Sequence, residues 1–209
     1  MPLLRTLAAS ERHEIPKIRG SRFLATTERV GSSAAARAFV ERMREEFADA
    51  THNCFAWWLS RDEQRASDDG EPNGTAGRPI LQEITGRGLS EVAVVVTRYY
   101  GGTKLGTGGL VRAYGEAAAA VLDKARIVEV PVVRELVLSY DYALTGTLTG
   151  VHTAFDAVPG AADYGAAVRQ HVAVPVEREA EYRQALVDAA AGRIEIEPPP
   201  EDTAEKGGP

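Results

Sequence analysis

A chain of 209 residues has room for one or two domains with a buried core, and its hydrophobic and charged fractions, 44% and 26%, are those of an ordinary globular protein. The longest apolar runs, residues 92–96 and 117–122, are too short to span a bilayer, Arg5 breaks up the one apolar patch of the start, and Cys54 has no second cysteine to pair with. No membrane segment or signal peptide is expected, and the expected location is cytoplasmic. The formal charge of −6 is unevenly divided, +1 over residues 1–130 and −7 over residues 131–209, so a general nucleic-acid coat is excluded and any cationic site belongs to the first part.

Residues 1–12 read as a loose start and 18–26 as a first strand. Ser32 or Ser33 then caps a helix to about Asp49, with Ala36, Phe39, Val40, Met43 and Phe47 at helical spacing on its apolar face. Residues 54–59 form a bulky strand and 60–67 a polar loop. Asp, Asp-Gly and Pro-Asn-Gly crowd residues 68–74 into a dense turn. A short helix over 77–87 carries Pro79 in its first turn, where the missing N–H costs nothing. The β-branched run 92–97 suits a central strand buried on both faces. A glycine-rich loop follows, after which Thr107 caps a helix to about Lys124 with Leu110, Tyr114, Ala118, Val121 and Leu122 facing inward.

Pro131 marks a boundary. Beyond it come a strand over 132–140, a helix over 145–155, paired strands over 161–166 and 169–174, a helix over 177–191 and a strand over 193–197. That order is βαββαβ, ferredoxin-like. Three prolines end the structure, and residues 198–209 are expected to be a disordered tail. The fold class is therefore α+β, with a first domain over 1–130 and a second over 131–197.

The chemistry concentrates between Asp68 and Arg112. Gly101, Gly102, Gly106, Gly108 and Gly109 imply unusual dihedrals or something approaching the backbone closely. Arg98, Lys104 and Arg112 give the loop a positive edge, and a strand feeding such a loop into a helix N-terminus is the general recipe for an anion site. Neither nucleotide fingerprint fits. Thr107-Gly108 stands where a P-loop needs Lys-Ser/Thr, and the dinucleotide pattern begun by Gly106 fails at Val111. Tyr99 and Tyr100 fall on opposite faces, so one of them at most reaches the loop surface to stack on a base. Asp68, Asp69 and Glu71 serve the turn and form salt bridges to Arg78, Arg98 or Lys104, or they hold Mg²⁺. Cys54, close to aromatic residues and two from His52, reads as an inert buried thiol. No cofactor is expected.

The strings DDGEPNGTAGRP (residues 68–79) and RYYGGTKLGTGGLVRAYG (residues 98–115), with Ser21-Arg22-Phe23 and THNCFAW (residues 51–57), resemble the signature of the YigZ/IMPACT family over residues 15–197. The resemblance implies a link to the control of translation. It also implies a first domain with the left-handed βαβ fold shared by a ribosomal protein domain and elongation factor G, and a ferredoxin-like second domain. The expected function is a regulator that binds RNA, the ribosome or a translation-associated protein through the glycine loop. The site residues are Arg98, Tyr99, Tyr100, Gly101, Gly102, Lys104, Gly106, Thr107, Gly108, Gly109 and Arg112, with Asp68, Asp69 and Glu71. A Mg²⁺-dependent enzyme on a phosphorylated substrate and a pure protein-interaction module stand as alternatives.

Overall fold

The computed structural model describes residues 3–198. In chain order its elements are strands β1 (Leu3–Leu7), β2 (Glu11–Ile18) and β3 (Ser21–Arg29), helix α1 (Ser33–Glu46), strands β4 (His52–Trp58) and β5 (Gln64–Ser67), and helix α2 (Gly77–Gly86). Strand β6 (Val92–Tyr99), helix α3 (Thr107–Lys124) and strands β7 (Ile127–Pro131) and β8 (Val133–Tyr140) follow. Helix α4 (Thr145–Ala154), strands β9 (Val158–Tyr164) and β10 (Val168–Pro175), helix α5 (Glu179–Ala189) and strand β11 (Ile194–Glu197) complete an α+β chain. None of these helices is long and apolar enough to cross a membrane.

Two compact units divide the described residues, one over Leu4–Val130 and the other over 131–198 with Leu3. In the first, a five-stranded sheet runs in the order β2-β3-β6-β4-β5 with every neighbouring pair antiparallel. Strand β6 lies at its centre. Alternation sends Val92, Val94 and Val96 to one face, against α2 and α3, and Ala93 and Val95 to the other, beneath α1. Seven of the eight β6 residues are buried, as a strand covered on both faces requires. Ser32 caps α1 by accepting the Ala35 N–H, 3.1 Å away.

The second unit has a four-stranded sheet in the order β11-β8-β10-β9, with antiparallel neighbours. Its core gathers Leu136, Leu138 and Leu148 around Tyr182 and Leu186. The Tyr182 hydroxyl and the His152 ring make a buried hydrogen bond of 2.8 Å there.

Three stretches differ from the sequence reading. Most of the expected loose start over 1–12 is strand, β1 and the beginning of β2, which runs on to Ile18; residues 64–67 form strand β5 rather than loop, and β7 was not expected at all. β2 and β5 are polar-rich edge strands, while β1 and β7 are five-residue strands that pair only with each other. The expected disordered tail lies, beyond Pro198, outside the described residues.

Candidate functional site

Where β6 ends, the chain enters the glycine loop, and the loop meets two distant segments. One is the β2–β3 hairpin turn, Arg19-Gly20, which takes positive φ at both positions, 46° and 82°. Gly101 crosses it so closely that a Cβ would overlap the Gly20 carbonyl carbon and the Ser21 nitrogen. The other is the acidic turn before α2. Between the loop and the acidic turn opens a cleft of about 330 Å³ lined by Glu71, Pro72, Arg98, Tyr100 and residues 104–107 with Leu110.

The cleft floor is a buried ion pair. Alternation places Arg98 on the same face as Val94 and Val96, so its guanidinium turns inward and is 4% exposed. It donates to Glu71 Oε1 at 2.5 Å and to Ser21 Oγ at 3.2 Å. Its Nε is buried without a partner, a cost the fold carries at this floor. Tyr114 of α3 donates to the same Glu71 oxygen at 2.7 Å, and burial pushes that phenol far up, so it stays a donor. Ser21 Oγ also accepts the Gly101 N–H at 3.1 Å and so ties the loop to the pair. The expectation that Arg98 forms an exposed positive edge is corrected: it is neutralised and buried, because strand parity points it into the core.

The rim differs from the floor. Tyr100 is 45% exposed, and the Arg98 guanidinium lies over its ring at 5.4 Å. Tyr99, on the opposite face, donates to Asp49 and takes no part in the cleft. Lys104 is exposed, and its carbonyl accepts from Arg19, 3.4 Å away. Gly106, not Thr107, occupies the cap position of α3; its φ of 73° brings the chain in from a direction open to glycine, and no side chain caps the helix. The first amides of α3 therefore meet the cleft without a side-chain acceptor. Gly102 shares the positive φ, whereas Gly108 and Gly109 are ordinary helical residues, Gly108 with nothing within 4 Å of a would-be Cβ. Arg112 is exposed on a neighbouring groove with Arg19 and Glu116, apart from Lys104 and Arg98.

The three turn carboxylates go three ways. Asp68 accepts from the amides of Gly74, Ala76 and Gly77 at 2.8–2.9 Å and so orders the start of α2. Burial works to raise its pKa, but those three donors prevail and hold it below the usual carboxylate value. Asp69 accepts from the Asn53 amide at 2.6 Å and pairs with Arg44 at 3.3 Å, not with Arg98 or Lys104. Glu71 alone reaches the cleft. Among the described residues no group of three His, Cys, Asp or Glu side chains is arranged to hold a metal ion. Cys54 donates to the Asp68 carbonyl at 3.0 Å, and burial pushes its thiol well up, away from the thiolate.

Fold and site together define a two-unit α+β protein with a cleft between the glycine loop and the acidic turn of its first unit. The model of the Impact N-terminal domain matches residues 19–122. The chain is 38% identical to the IMPACT family member YigZ of Escherichia coli (strain K12), over 87% of this chain and 91% of that one. It is 40% identical to the family member YvyE of Bacillus subtilis (strain 168), over 68% and 66% of the two chains. A crystal structure of a hypothetical protein superposes with a TM-score of 0.71 at 35% identity, covering 97% of this chain and all of the other. The chain belongs to the IMPACT family.

Proposed function

We propose that this protein is a translation-linked RNA binder that holds a single-stranded segment in the first-unit cleft. The carrying observation is that one cleft gathers the uncapped N-terminus of α3, the exposed Lys104 and an exposed tyrosine ring. A phosphate is attracted by the first two, and a base stacks on the third. Pro72, Leu105 and Leu110 give the sugar and base apolar walls. Family membership supports the link to translation. So does the order β11-β8-β10-β9 in a βαββαβ chain, which we read as a ferredoxin-like domain. In the first unit β3 and β4 both run antiparallel to β6 between them and are joined through α1, which we read as the βαβ element of the ribosomal-protein and elongation-factor-G type. The carboxylates a Mg²⁺ enzyme would need are engaged elsewhere, Asp68 by amides and Asp69 by Arg44.

Titration of a short single-stranded RNA across salt tests the reading. Affinity should fall steeply with salt, and Lys104→Ala should flatten the log–log slope by about one unit. Tyr100→Ala should weaken binding by about 1–3 kcal/mol at an unchanged slope, while Arg112→Ala leaves both intact. Absence of binding, or indifference to both Lys104→Ala and Tyr100→Ala, rejects the cleft as the RNA site.

A further inference from the structure

The cleft contains an acceptor that no neighbour uses. Glu71 lines it with a side chain only 4% exposed. Its Oε1 takes the hydrogens of Arg98 and Tyr114. Its Oε2 has no donor among the described residues, yet is not sealed off, since among those residues Arg98 Nε alone is a fully buried polar side-chain atom without a partner. A carboxylate held rigidly by two donors on one oxygen offers the other oxygen, already oriented, to whatever enters the cleft.

We infer that Glu71 reads the base. In the RNA held as proposed above, Oε2 accepts a hydrogen from the exocyclic amine of one nucleotide, so amine-bearing bases are taken and uracil is refused. Uracil has a single ring N–H flanked by two carbonyl oxygens, and those oxygens would press against the carboxylate. The ligand thus has three parts matched by one cleft: phosphate for the α3 amides and Lys104, a flat ring for Tyr100, and an amine for Glu71. The inference rests on the RNA reading and adds base choice to it. Leaving a largely buried carboxylate oxygen unpaired against the wrong base should cost about tenfold or more in affinity.

The test is fluorescence anisotropy at fixed salt with labelled short oligomers of adenosine, cytidine, uridine and purine riboside, the last being adenosine without its amine. The wild type should bind the adenosine and cytidine oligomers about tenfold or more tighter than the uridine oligomer. Purine riboside, which retains the stacking surface of adenine, should fall to the uridine level. Equal affinity for adenosine and purine riboside overturns base reading and leaves RNA binding standing; no binding to any oligomer overturns both.

Glu71→Gln sharpens the result. Arg98 and Tyr114 would still hold the amide oxygen, turning the amide NH₂ toward the cleft in place of an acceptor, so preference should move toward uridine. A folded Glu71→Gln protein that keeps the adenosine preference overturns the inference. Should that variant fail to fold, the purine riboside comparison on the wild type decides. Free AMP should not displace the oligomer at equal nucleotide concentration; displacement would make the occupant a free nucleotide and overturn the RNA source while supporting the amine contact.

Discussion

Each unit has a buried polar pair that invites comparison, and these two are of different kinds. In residues 4–130 it is an ion pair, Arg98 with Glu71, set at the floor of a cleft. In the second unit it is neutral, Tyr182 with His152, set in the middle of the core. Burial lowers the His152 pKa, against a smaller raising influence from Gln170, so the ring stays uncharged. A neutral hydrogen bond satisfies a core at modest cost. A buried ion pair is seldom the most stable way to fill space, and residues of similar volume without charge often do better. Its presence beside an opening, with one guanidinium N–H left unpaired, therefore points to use rather than to stability.

The largest effect should come from breaking the ionic pair on one side. Arg98→Ala leaves a buried carboxylate without its counter-charge, and should lower stability by about 3–5 kcal/mol. Tyr182→Phe removes a neutral bond and should cost about 1–2 kcal/mol. Urea unfolding of both variants measures the difference. Both tryptophans, Trp57 and Trp58, lie at the end of β4, so their fluorescence reports the first unit separately from the circular dichroism of the whole. Equal losses would dissolve the contrast.

Next in size are two glycines in one loop. Gly101→Ala forces a Cβ into the Gly20 backbone, which cannot step aside as a side chain would, and should cost about 3 kcal/mol. Gly108→Ala meets open space at ordinary helical φ and should gain up to about 1 kcal/mol. Thermal melts of the pair would show whether the loop's glycines serve one purpose or two.

The smallest effect is that of pH on the second unit. His152 binds a proton more readily unfolded than folded, so the unfolded state gains protons as pH falls past about 6.5. Stability is complete above that value and is lost below it, by at most about 1.4 kcal/mol per pH unit. Melts at neutral and mildly acid pH should show the circular dichroism transition falling without an equal fall in tryptophan fluorescence.

Much of the secondary structure could be read from residues alone, because α1 and α3 carry a strong helical period and β6 a continuous run of mostly β-branched residues. Strands β2 and β5 could not: β2 has two isoleucines among charges and a proline, and β5 is Gln-Arg-Ala-Ser. Both are edge strands, whose pairing rests on backbone groups that no side-chain pattern advertises. In the site, Tyr100, Lys104 and the α3 start were found where the loop sequence put them. Arg98 was misread as surface although its parity with Val94 and Val96 was available. Ser21 and Tyr114 went unrecognised as site residues, since Ser21 read as the interior of a strand over 18–26 and as part of a signature string, and Tyr114 as core. Asp69 could not be assigned, because its partner Arg44 lies on a separate helix.

The contact between Gly101 and the Arg19-Gly20 turn has a consequence for how the chain comes into being. The cleft floor joins residues 21, 71, 98 and 114, and a growing polypeptide holds all four only after α3 has left the exit tunnel. Until then the Arg98 side chain has neither Tyr114 beside it nor a finished loop above it. The cleft floor thus closes in one step, after α3 has emerged, and a peptide cut from the glycine loop alone would lack Ser21, Glu71 and Tyr114.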